Sequence, residues 1–312
     1  MELQQNVPLA DKNWFQTGGS ACYFMEPTNP VEFQAALEFA QQKQLPLFVL
    51  GQGANVLISD EGFDGLVIRP QLKNIVYLPM NDNDILVTAG AGVILSDLIE
   101  DCLNHHVIGL EEFSGIPGTV GGSTYINLHY YEFLLSQFLV NAQVIDANTG
   151  EITTVDNSWF KYGYNQSKLL DKQHYLLNAT FKLKRCTPLE TAFARGRRTE
   201  IIRHRVKRYP STHTCGSFFR NFYESEVIQE NEGKKMIYVA YYLDKLGVKG
   251  ALTVGDATVS YQHANMIVNR GKATTSDIVA LARRMQEMVR DEFGITPQPE
   301  CQLIGFAEYP LL

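Results

Sequence analysis

The chain has 312 residues, with 27 Lys and Arg against 34 Asp and Glu and a formal net charge of −7. This acidic balance argues against broad affinity for nucleic acid, which depends on an excess of cations facing the phosphates. The hydrophobic share of 45% and the charged share of 20% are those of an ordinary globular protein. The length favours about two domains.

No targeting segment, membrane span or metal site is expected. Residues 1–12 contain neither a basic stretch nor an apolar run of signal-peptide length, and no later apolar run is long enough for a bilayer. We therefore expect a cytoplasmic protein without membrane contact. The five cysteines are scattered, without a Cys-x-x-Cys pair or a Cys/His cluster, so we expect neither disulfides nor a bound metal.

The first half of the chain begins with a predicted helix and a strand. Asn29 as a cap, with Pro30 at the first helical position, predicts a helix over 30–43. The apolar run 45–50 reads as a buried strand that enters the tight loop 51–55. Helix, strand and glycine loop in this order are typical of a ligand-binding segment.

Further elements follow from the same signals. Residues 85–89 read as a strand, and Ser96 is the expected cap of a helix whose apolar residues share one face. Two more strands are expected at 142–146 and 175–183. An amphipathic helix is expected at 276–293, where a glycine ends it.

Basic residues crowd between Arg195 and Arg208, and we place the main domain boundary near 190–205. One interpretation of this stretch is a solvated linker helix whose cations pair with nearby acids. The other is that a few of these cations meet a diphosphate, for which the guanidinium fork is well suited. Arg205 is the residue that we single out for the second role.

Two glycine-rich loops form the candidate cofactor site. In the loop 51–55, small side chains let backbone N–H groups approach phosphate oxygens, although a plain turn is the alternative. Val56 stands where the fingerprint G-x-G-x-x-G requires glycine, which disfavours a Rossmann NAD site. The loop 115–123 carries four glycines, which suggests backbone lying flat against a ligand. Together the loops predict a dinucleotide cofactor bound by Gly51, Gln52, Gly53, Ala54, Asn55, Gly115, Ile116, Pro117, Gly118, Thr119, Gly121, Gly122 and Ser123.

Three polar residues are candidates for chemistry or substrate binding. Ser217 lies between a glycine and two phenylalanines, Glu300 follows a proline, and His263 lies in a polar stretch. Each has a structural alternative, respectively a turn, a solvated carboxylate and a hydrogen-bonded histidine. Because there is no G-x-S-x-G elbow and no evident triad, a hydrolase has little support.

Taken together, these segments resemble the UDP-N-acetylenolpyruvoylglucosamine reductases in their shorter form. The resemblance covers nearly the whole chain. Its matching stretches are Thr17 to Gly19, Val49 to Leu57, Gly65 to Ile68, Gly115 to Gly122, Gly216 to Phe219, His263 to Asn269 and Pro299 with Glu300.

The resemblance implies an α+β protein with an FAD-binding fold of the vanillyl-alcohol-oxidase/PCMH type and a C-terminal α+β substrate-binding domain. The FAD-binding region would cover 1–195, with subdomains at about 1–70 and 71–195. The substrate-binding domain would cover 196–312, its last residues returning to the active site. A monomer is expected.

The resemblance also implies a reaction. NADPH would reduce FAD and depart, and hydride would then pass to the enolpyruvyl group of a UDP-sugar, giving UDP-N-acetylmuramate for peptidoglycan synthesis. Ser217 would protonate the neighbouring carbon and Glu300 would stabilise the developing charge. Arg205, Asn221 and His263 would bind the UDP-sugar.

The sequence departs from the family pattern at one important position. The family segment Tyr-Arg-x-Ser reads here as Tyr164 to Ser167, so that Asn165 replaces a catalytic arginine. Losing one charged stabiliser costs on the order of 10²–10³ in rate, by analogy with an oxyanion-hole donor. Lys168 would partly restore the charge if a helical turn placed it on the same face as Asn165. The alternative is that Lys168 points to solvent and that the site has lost this reaction.

Two other stretches depart as well. A glycine-containing family stretch reads Asn127 to Glu132, and the family Lys-Asn-Pro reads Arg220 to Phe222. Two alternatives therefore stay open beside the reductase. One is a diverged flavoenzyme of the same fold with another substrate, and the other is a protein that binds FAD or a nucleotide without catalysis.

Overall fold

The computed structural model describes residues 2–231 and 233–312, which form two compact units. The first unit comprises the residues up to Gln5, 23–52 and 65–204, and the second comprises 6–22, 53–64 and 205–312. The expected main boundary is near 190–205, with the FAD-binding region ending at 195, and the units separate after His204, inside a helix. The membership of 6–22 and 53–64 in the second unit was not indicated by the sequence. Met1, where the expected first domain begins, lies outside the described residues.

The secondary structure of the described residues is mixed, with short strands throughout. The strands are β1 (Gln4–Pro8), β2 (Ser20–Met25), β3 (Leu47–Val49), β4 (Val56–Ile58), β5 (Phe63–Ile68), β6 (Ile75–Pro79), β7 (Asp84–Gly90), β8 (Val107–Ile108), β9 (His129–Tyr130), β10 (Phe133–Leu134), β11 (Leu139–Asp146), β12 (Ile152–Asp156), β13 (His174–Arg185), β14 (Glu230–Asn231), β15 (Lys234–Lys235), β16 (Thr253–Val254), β17 (Ala257–Val259), β18 (Ile267–Asn269) and β19 (Gln302–Ile304). The α-helices are α1 (Pro30–Gln42), α2 (Leu95–Asn104), α3 (Val120–Tyr125), α4 (Pro188–Arg208), α5 (Val239–Lys245) and α6 (Thr275–Phe293). Short 3₁₀ helices lie at Ala10–Lys12, Glu111–Phe113, Leu135–Gln137, Asn157–Phe160, Lys168–Asp171 and Glu224–Glu226.

The first unit is built on an antiparallel sheet with the strand order β12-β11-β13-β7-β6, and β8 pairs with the end of β13. In the middle of this sheet, Ala179 lies opposite Ala142 on one side and Ala89 on the other. These three side chains are fully buried in the apolar core of the unit. The predicted strands at 85–89, 142–146 and 175–183 are thus confirmed as parts of β7, β11 and β13. A further sheet has the order β1-β2-β5-β3, with β3 and β5 parallel.

The starts of two helices of the first unit were predicted from local sequence signals, one correctly and one wrongly. The predicted helix over 30–43 is confirmed as α1, because the side chain of Asn29 accepts a hydrogen bond from the N–H of Glu32 at 3.0 Å. The prediction of Ser96 as the cap of α2 is wrong. That helix begins at Leu95, and Ser96 lies inside it. The residue before the helix, Ile94, forms a β-bridge with Thr119.

The second unit combines short strands with two helices. Strands β4 and β19 pair in parallel, and β16, β17 and β18 form an antiparallel sheet. The predicted helix at 276–293 is confirmed as α6, which Gly294 ends in the left-handed conformation with φ at 71°. Its apolar face packs into the core of the unit through the buried side chains of Ile278, Leu281 and Met285. None of the described helices combines the length and apolar character that crossing a membrane would need.

Candidate active site

Within the first unit, the two glycine-rich segments meet. The side-chain carbonyl of Gln52 accepts a hydrogen bond from the N–H of Gly118 at 2.7 Å. A Cβ on Gly51 would lie 2.8 Å from Oγ1 of Thr119, which is closer than a real Cβ contact allows. Glycine at position 51 therefore lets the two backbones approach each other.

The second loop is held rigidly by its own protein contacts. Thr119 caps α3, since its hydroxyl accepts from the N–H of Gly122 at 3.1 Å. The N–H of Val120 donates to Val93 and that of Gly121 to Ala91, at 2.8 and 2.9 Å. Because these N–H groups already donate to protein acceptors, they are not available to phosphate oxygens. The loop is therefore better suited to support a flat ring than to bind a phosphate.

The first loop differs in this respect. The backbone N–H groups of residues 51–55 donate to no protein acceptor among the described residues. Small side chains leave such donors accessible to the oxygens of a phosphate. This arrangement fits the predicted cradle for a pyrophosphate, while the second loop fits the flavin ring.

The first unit also holds buried polar atoms without hydrogen-bond partners. Ser114 and Thr124, on either side of the second loop, have buried hydroxyl oxygens without a partner. Both amide atoms of Asn165 are buried and unpartnered as well. An unsatisfied buried polar group costs about 1–3 kcal/mol, so such groups usually have a partner. A bound cofactor with polar ring atoms fits this set of residues, although the sequence did not single out Ser114 or Thr124.

Asn165 lies in a tight turn that is tied to the end of α3. Its φ of 51° is left-handed, and Gly163 and Gln166 exchange backbone hydrogen bonds across it at 3.1 and 3.3 Å. On the C-terminal side, the hydroxyl of Ser167 donates to the carbonyl of Tyr125, the last residue of α3, at 2.6 Å. The turn is therefore fixed from within and from α3.

The predicted helical turn that would pair Lys168 with Asn165 is absent. Asn165 has left-handed backbone, and Ser167 is the cap of a 3₁₀ helix that begins only at Lys168. The ammonium of Lys168 lies 4.3 Å from the centre of the Trp159 ring, in a cation–π contact. The expectation that both residues share one helix face is wrong, because the chain reverses at Asn165.

In the second unit, backbone pairing brings Ser217 and Glu300 onto neighbouring segments. The N–H of Glu300 donates to the carbonyl of Phe218 at 2.8 Å, and Phe219 forms a β-bridge with Pro299. Phe218 and Phe219 are fully buried, whereas Ser217 and Glu300 are half-buried. Ser217 and Glu300 are 83 positions apart in sequence, and their segments are joined over the two buried phenylalanines.

Asn265 holds the backbone of Phe219 and was not among the predicted site residues. Its side-chain amide donates to the carbonyl of Phe219 at 2.7 Å and accepts from the N–H of the same residue at 3.1 Å. Another contact within the second unit comes from Asn55, whose side chain donates to the carbonyl of Glu300 at 3.5 Å. Only its position beside His263 in the family motif pointed to Asn265 in the sequence.

The three predicted substrate-binding residues of the second unit have different surroundings. His263 packs against Tyr209 with ring centres 5.4 Å apart, and burial, with a smaller contribution from Arg208, lowers the pKa of His263 to about 4. Arg205, at the end of α4, lies 5.1 Å from the centre of the same Tyr209 ring. Asn221 is half-buried, and its carbonyl accepts from Arg220 at 3.0 Å.

The basic stretch of α4 is partly paired with acids, as its structural interpretation expects. Arg195 contacts Glu100 at 2.6 Å, and Arg197 forms a two-point contact with Glu112 at 2.8 and 2.9 Å. Exposed pairs of this kind contribute little to stability. The described residues contain no cluster of His, Cys, Asp or Glu suited to hold a metal ion.

Known proteins with similar sequences identify the family. Residues 21–156 match the FAD binding domain, and residues 208–304 match the C-terminal domain of UDP-N-acetylenolpyruvoylglucosamine reductase. The UDP-N-acetylenolpyruvoylglucosamine reductase of Chloroherpeton thalassium is 33% identical over 309 residues, which cover 99% of this chain and 95% of that protein. The chain belongs to the UDP-N-acetylenolpyruvoylglucosamine reductase family. The family member of Clostridium novyi is 30% identical over 305 residues, 97% of this chain and 92% of that protein.

A solved structure agrees with this assignment. The crystal structure of the family member from Thermus caldophilus matches with a TM-score of 0.77 at 26% identity, covering 98% of this chain and all of that one. The expected fold class is confirmed: an α+β protein with an FAD-binding fold of the vanillyl-alcohol-oxidase/PCMH type and a C-terminal domain typical of the family. FAD is therefore the cofactor of this fold, and the residues around both glycine loops fit it.

Proposed function

We propose that this protein uses NADPH and FAD to reduce the enolpyruvyl group of UDP-N-acetylglucosamine enolpyruvate, giving UDP-N-acetylmuramate. The relatives that carry this name span nearly the whole chain at 30–33% identity. When bound, FAD supplies hydride transfer, which the protein's own side chains cannot perform. NADPH is the reductant that family membership suggests.

In this proposal the two glycine-rich loops hold the cofactor. The N–H groups of residues 51–55 bind the pyrophosphate, and Gln52 keeps the loop in register with Gly118. The loop 115–123 supports the ring, with Ser114 and Thr124 as additional polar contacts. These residues orient the cofactor and exclude water from it.

The residues of the second unit act on the substrate. Ser217 donates a proton from its hydroxyl to the carbon next to the one that receives hydride. Glu300 stabilises the enolate-like charge that develops at this centre, and Asn265 holds the backbone of Phe219 beside Ser217. The residues that contact the UDP-sugar are Arg205, Asn221 and His263. Among them, Arg205 has the group best suited to bind the diphosphate, because its guanidinium fork matches phosphate oxygens.

The observation that carries the proposal is the pairing of the Ser217 and Glu300 segments through Phe218 and Phe219. A serine hydroxyl is a weak acid in water, so it protonates carbon only when it is held in place against the negative charge that develops there. The joining of the two segments on a buried aromatic base supports such an arrangement. A serine in a simple exposed turn would not need this support.

Steady-state consumption of NADPH tests the proposal. We expect consumption that depends on UDP-N-acetylglucosamine enolpyruvate and forms UDP-N-acetylmuramate in equal amount. Oxidation by dissolved oxygen, measured without the sugar, provides the background. Sugar-independent consumption alone would argue for an oxidase or a flavin-binding protein instead.

Asn165 is the observation that favours a second candidate, a diverged flavoenzyme with another substrate. The neutral amide supplies no positive charge where family members carry a guanidinium, and Lys168 is engaged with Trp159. If the enolpyruvyl sugar is the substrate, its reduction in this protein is slow. A neutral substrate would not need the missing charge.

A further inference from the structure

The most informative unexplained feature of the first unit is the amide of Asn165. Its Oδ1 and Nδ2 are both buried and both lack a hydrogen-bond partner. The residue also adopts a left-handed φ of 51°, which costs energy in a side-chain-bearing residue and is tolerated best by asparagine. Strain together with an unsatisfied buried group is typical of functional positions.

The turn that carries this amide is fixed in place without using it. Gly163 and Gln166 exchange backbone hydrogen bonds, and Nδ2 of Asn127 donates to the carbonyl of Gly163 at 3.3 Å. Ser167 binds the carbonyl of Tyr125 at 2.6 Å. Gly163, Gln166 and Ser167 therefore have structural hydrogen bonds, while the amide of Asn165 has none.

These bonds also locate the amide relative to the second glycine loop. The turn is attached to the end of α3, and α3 begins at Val120 inside that loop. A helix of this length rises about 9 Å, so the turn is attached about one such length from the loop, a separation that a dinucleotide or a UDP-sugar can span.

The chemistry of an amide restricts what this ligand can present. A guanidinium only donates hydrogen bonds and suits a carboxylate, whereas an amide both donates and accepts. A carboxylate would satisfy Nδ2 and leave Oδ1 without a donor, and this holds for either orientation of the amide. A neutral group with a donor beside an acceptor satisfies both ends.

Burial also disfavours a positive charge on the ring of His129. Its ring lies 5.0 Å from that of Tyr164, and burial lowers the pKa of His129. A neutral polar ligand group is consistent with these surroundings.

We infer that Asn165 is a specificity-determining contact that binds a neutral donor-and-acceptor group of the bound ligand, in place of the carboxylate that an arginine would select. Two sources present this chemistry: the pyrimidine edge of the flavin, and the hydroxyl or acetamido groups of a UDP-sugar. The sugar source rests on the proposed function.

Binding measurements on the full chain test the inference without turnover. The probes are FAD, added to protein stripped of flavin, and UDP-N-acetylglucosamine, which is neutral at the sugar and is added to the FAD-loaded protein. Asn165→Gly removes the amide and relieves the strain, and Asn165→Asp keeps the shape but loses the donor. Lys172→Gly is the matched control, because Lys172 is an exposed residue with a left-handed φ of 58°.

We expect Asn165→Gly and Asn165→Asp to weaken one of the two probes by about tenfold, while Lys172→Gly changes neither by more than about twofold. Weaker FAD binding assigns the contact to the flavin, and weaker binding of the neutral sugar assigns it to the substrate. The inference is overturned if both variants bind both probes within about twofold of the parent. It is also overturned if Asn165→Asp binds as well as the parent, or if only UDP-N-acetylglucosamine enolpyruvate is affected.

These outcomes are separate from those of the proposed function. A parent that binds neither sugar contradicts the proposed reductase, yet the FAD measurement still decides the role of Asn165. A parent that turns over the enolpyruvyl sugar while both variants bind normally contradicts only the inference.

Discussion

The side-chain carbonyl of Gln52 accepts a hydrogen bond from the backbone N–H of Gly118 at 2.7 Å and so joins the two glycine-rich loops. Gln52→Ala removes this bond, and we expect the dissociation constant of FAD to rise about tenfold, since a hydrogen bond of this kind contributes about 1–1.5 kcal/mol. Gln71→Ala is the control, because Gln71 binds Glu26 at 2.8 Å in the same unit, on a segment that belongs to neither loop. Equal FAD affinity in both variants would show that the bond does not shape the cofactor site.

A second prediction concerns the close approach of Gly51 to Thr119. In Gly51→Ala the new Cβ would lie 2.8 Å from Oγ1 of Thr119, so the threonine has to shift and its cap on α3 is lost. We expect weaker FAD binding and a loss of about 1–3 kcal/mol in the free energy of unfolding. Gly196→Ala is the matched control, since nothing lies within 4 Å of the added Cβ at that exposed helical position. An FAD affinity for Gly51→Ala equal to that of the control would contradict the steric account.

A third prediction separates the half-reactions. Ser217→Ala leaves reduction of FAD by NADPH nearly unchanged but slows transfer to the sugar by about 10²–10⁴, because the serine donates its proton only in that step. Stopped-flow traces of both half-reactions provide the measurement, with the exposed Ser211→Ala as the control. Equal slowing of both halves would mean that Ser217 only supports the Phe218 and Phe219 wall.

A fourth prediction follows from the contact between Lys168 and Trp159. Lys168→Met keeps the aliphatic stem but removes the charge, so we expect turnover to stay nearly constant while the free energy of unfolding falls by about 0.5–1 kcal/mol. Asn165→Arg restores the guanidinium and should raise turnover of the enolpyruvyl sugar by on the order of 10²–10³. A large loss of turnover in Lys168→Met would instead mean that Lys168 replaces the arginine.

The fifth prediction concerns pH. Burial lowers the pKa of His263 to about 4 in the folded protein, whereas the unfolded chain has the ordinary value of about 6.5. The unfolded state thus binds more protons between these values, so the stability is present above about pH 6.5 and is lost as the pH falls. Between about pH 7 and about pH 5 we expect a loss of about 2 kcal/mol in the free energy of unfolding from this residue.

Urea unfolding of the parent and of His263→Gln at both pH values measures this loss. The glutamine variant should be less sensitive to acid, whereas His204→Gln, at an exposed histidine, should behave like the parent. Equal acid sensitivity in all three proteins would contradict the assignment to His263.

Local signals in the sequence predicted the elements whose boundaries depend on neighbouring residues. Asn29 and Pro30 determine the start of α1, and Gly294 ends α6, because caps act within one turn. The glycine loops and the Ser217 and Glu300 segments were found from composition and from the family resemblance.

The contacts that arrange the site are of longer range and could not be read in this way. Asn55 reaches the carbonyl of Glu300 across 245 positions, and Asn265 binds Phe219 across 46. The reversal at Asn165 was missed because the spacing of Asn165 and Lys168 resembles a helical turn, whereas hydrogen bonds to residues about 40 positions away hold the reversed turn in place. Local secondary-structure propensity does not include such long-range hydrogen bonds.

Anaerobic reduction and reoxidation of the purified protein test the central claim most directly. We predict a yellow protein whose flavin, released on denaturation, is FAD, whose colour NADPH bleaches, and whose colour returns when UDP-N-acetylglucosamine enolpyruvate is added. UDP-N-acetylmuramate should form in an amount equal to the reoxidised flavin. A flavin that NADPH reduces but that the enolpyruvyl sugar fails to reoxidise, in the parent and in Asn165→Arg alike, would contradict the account.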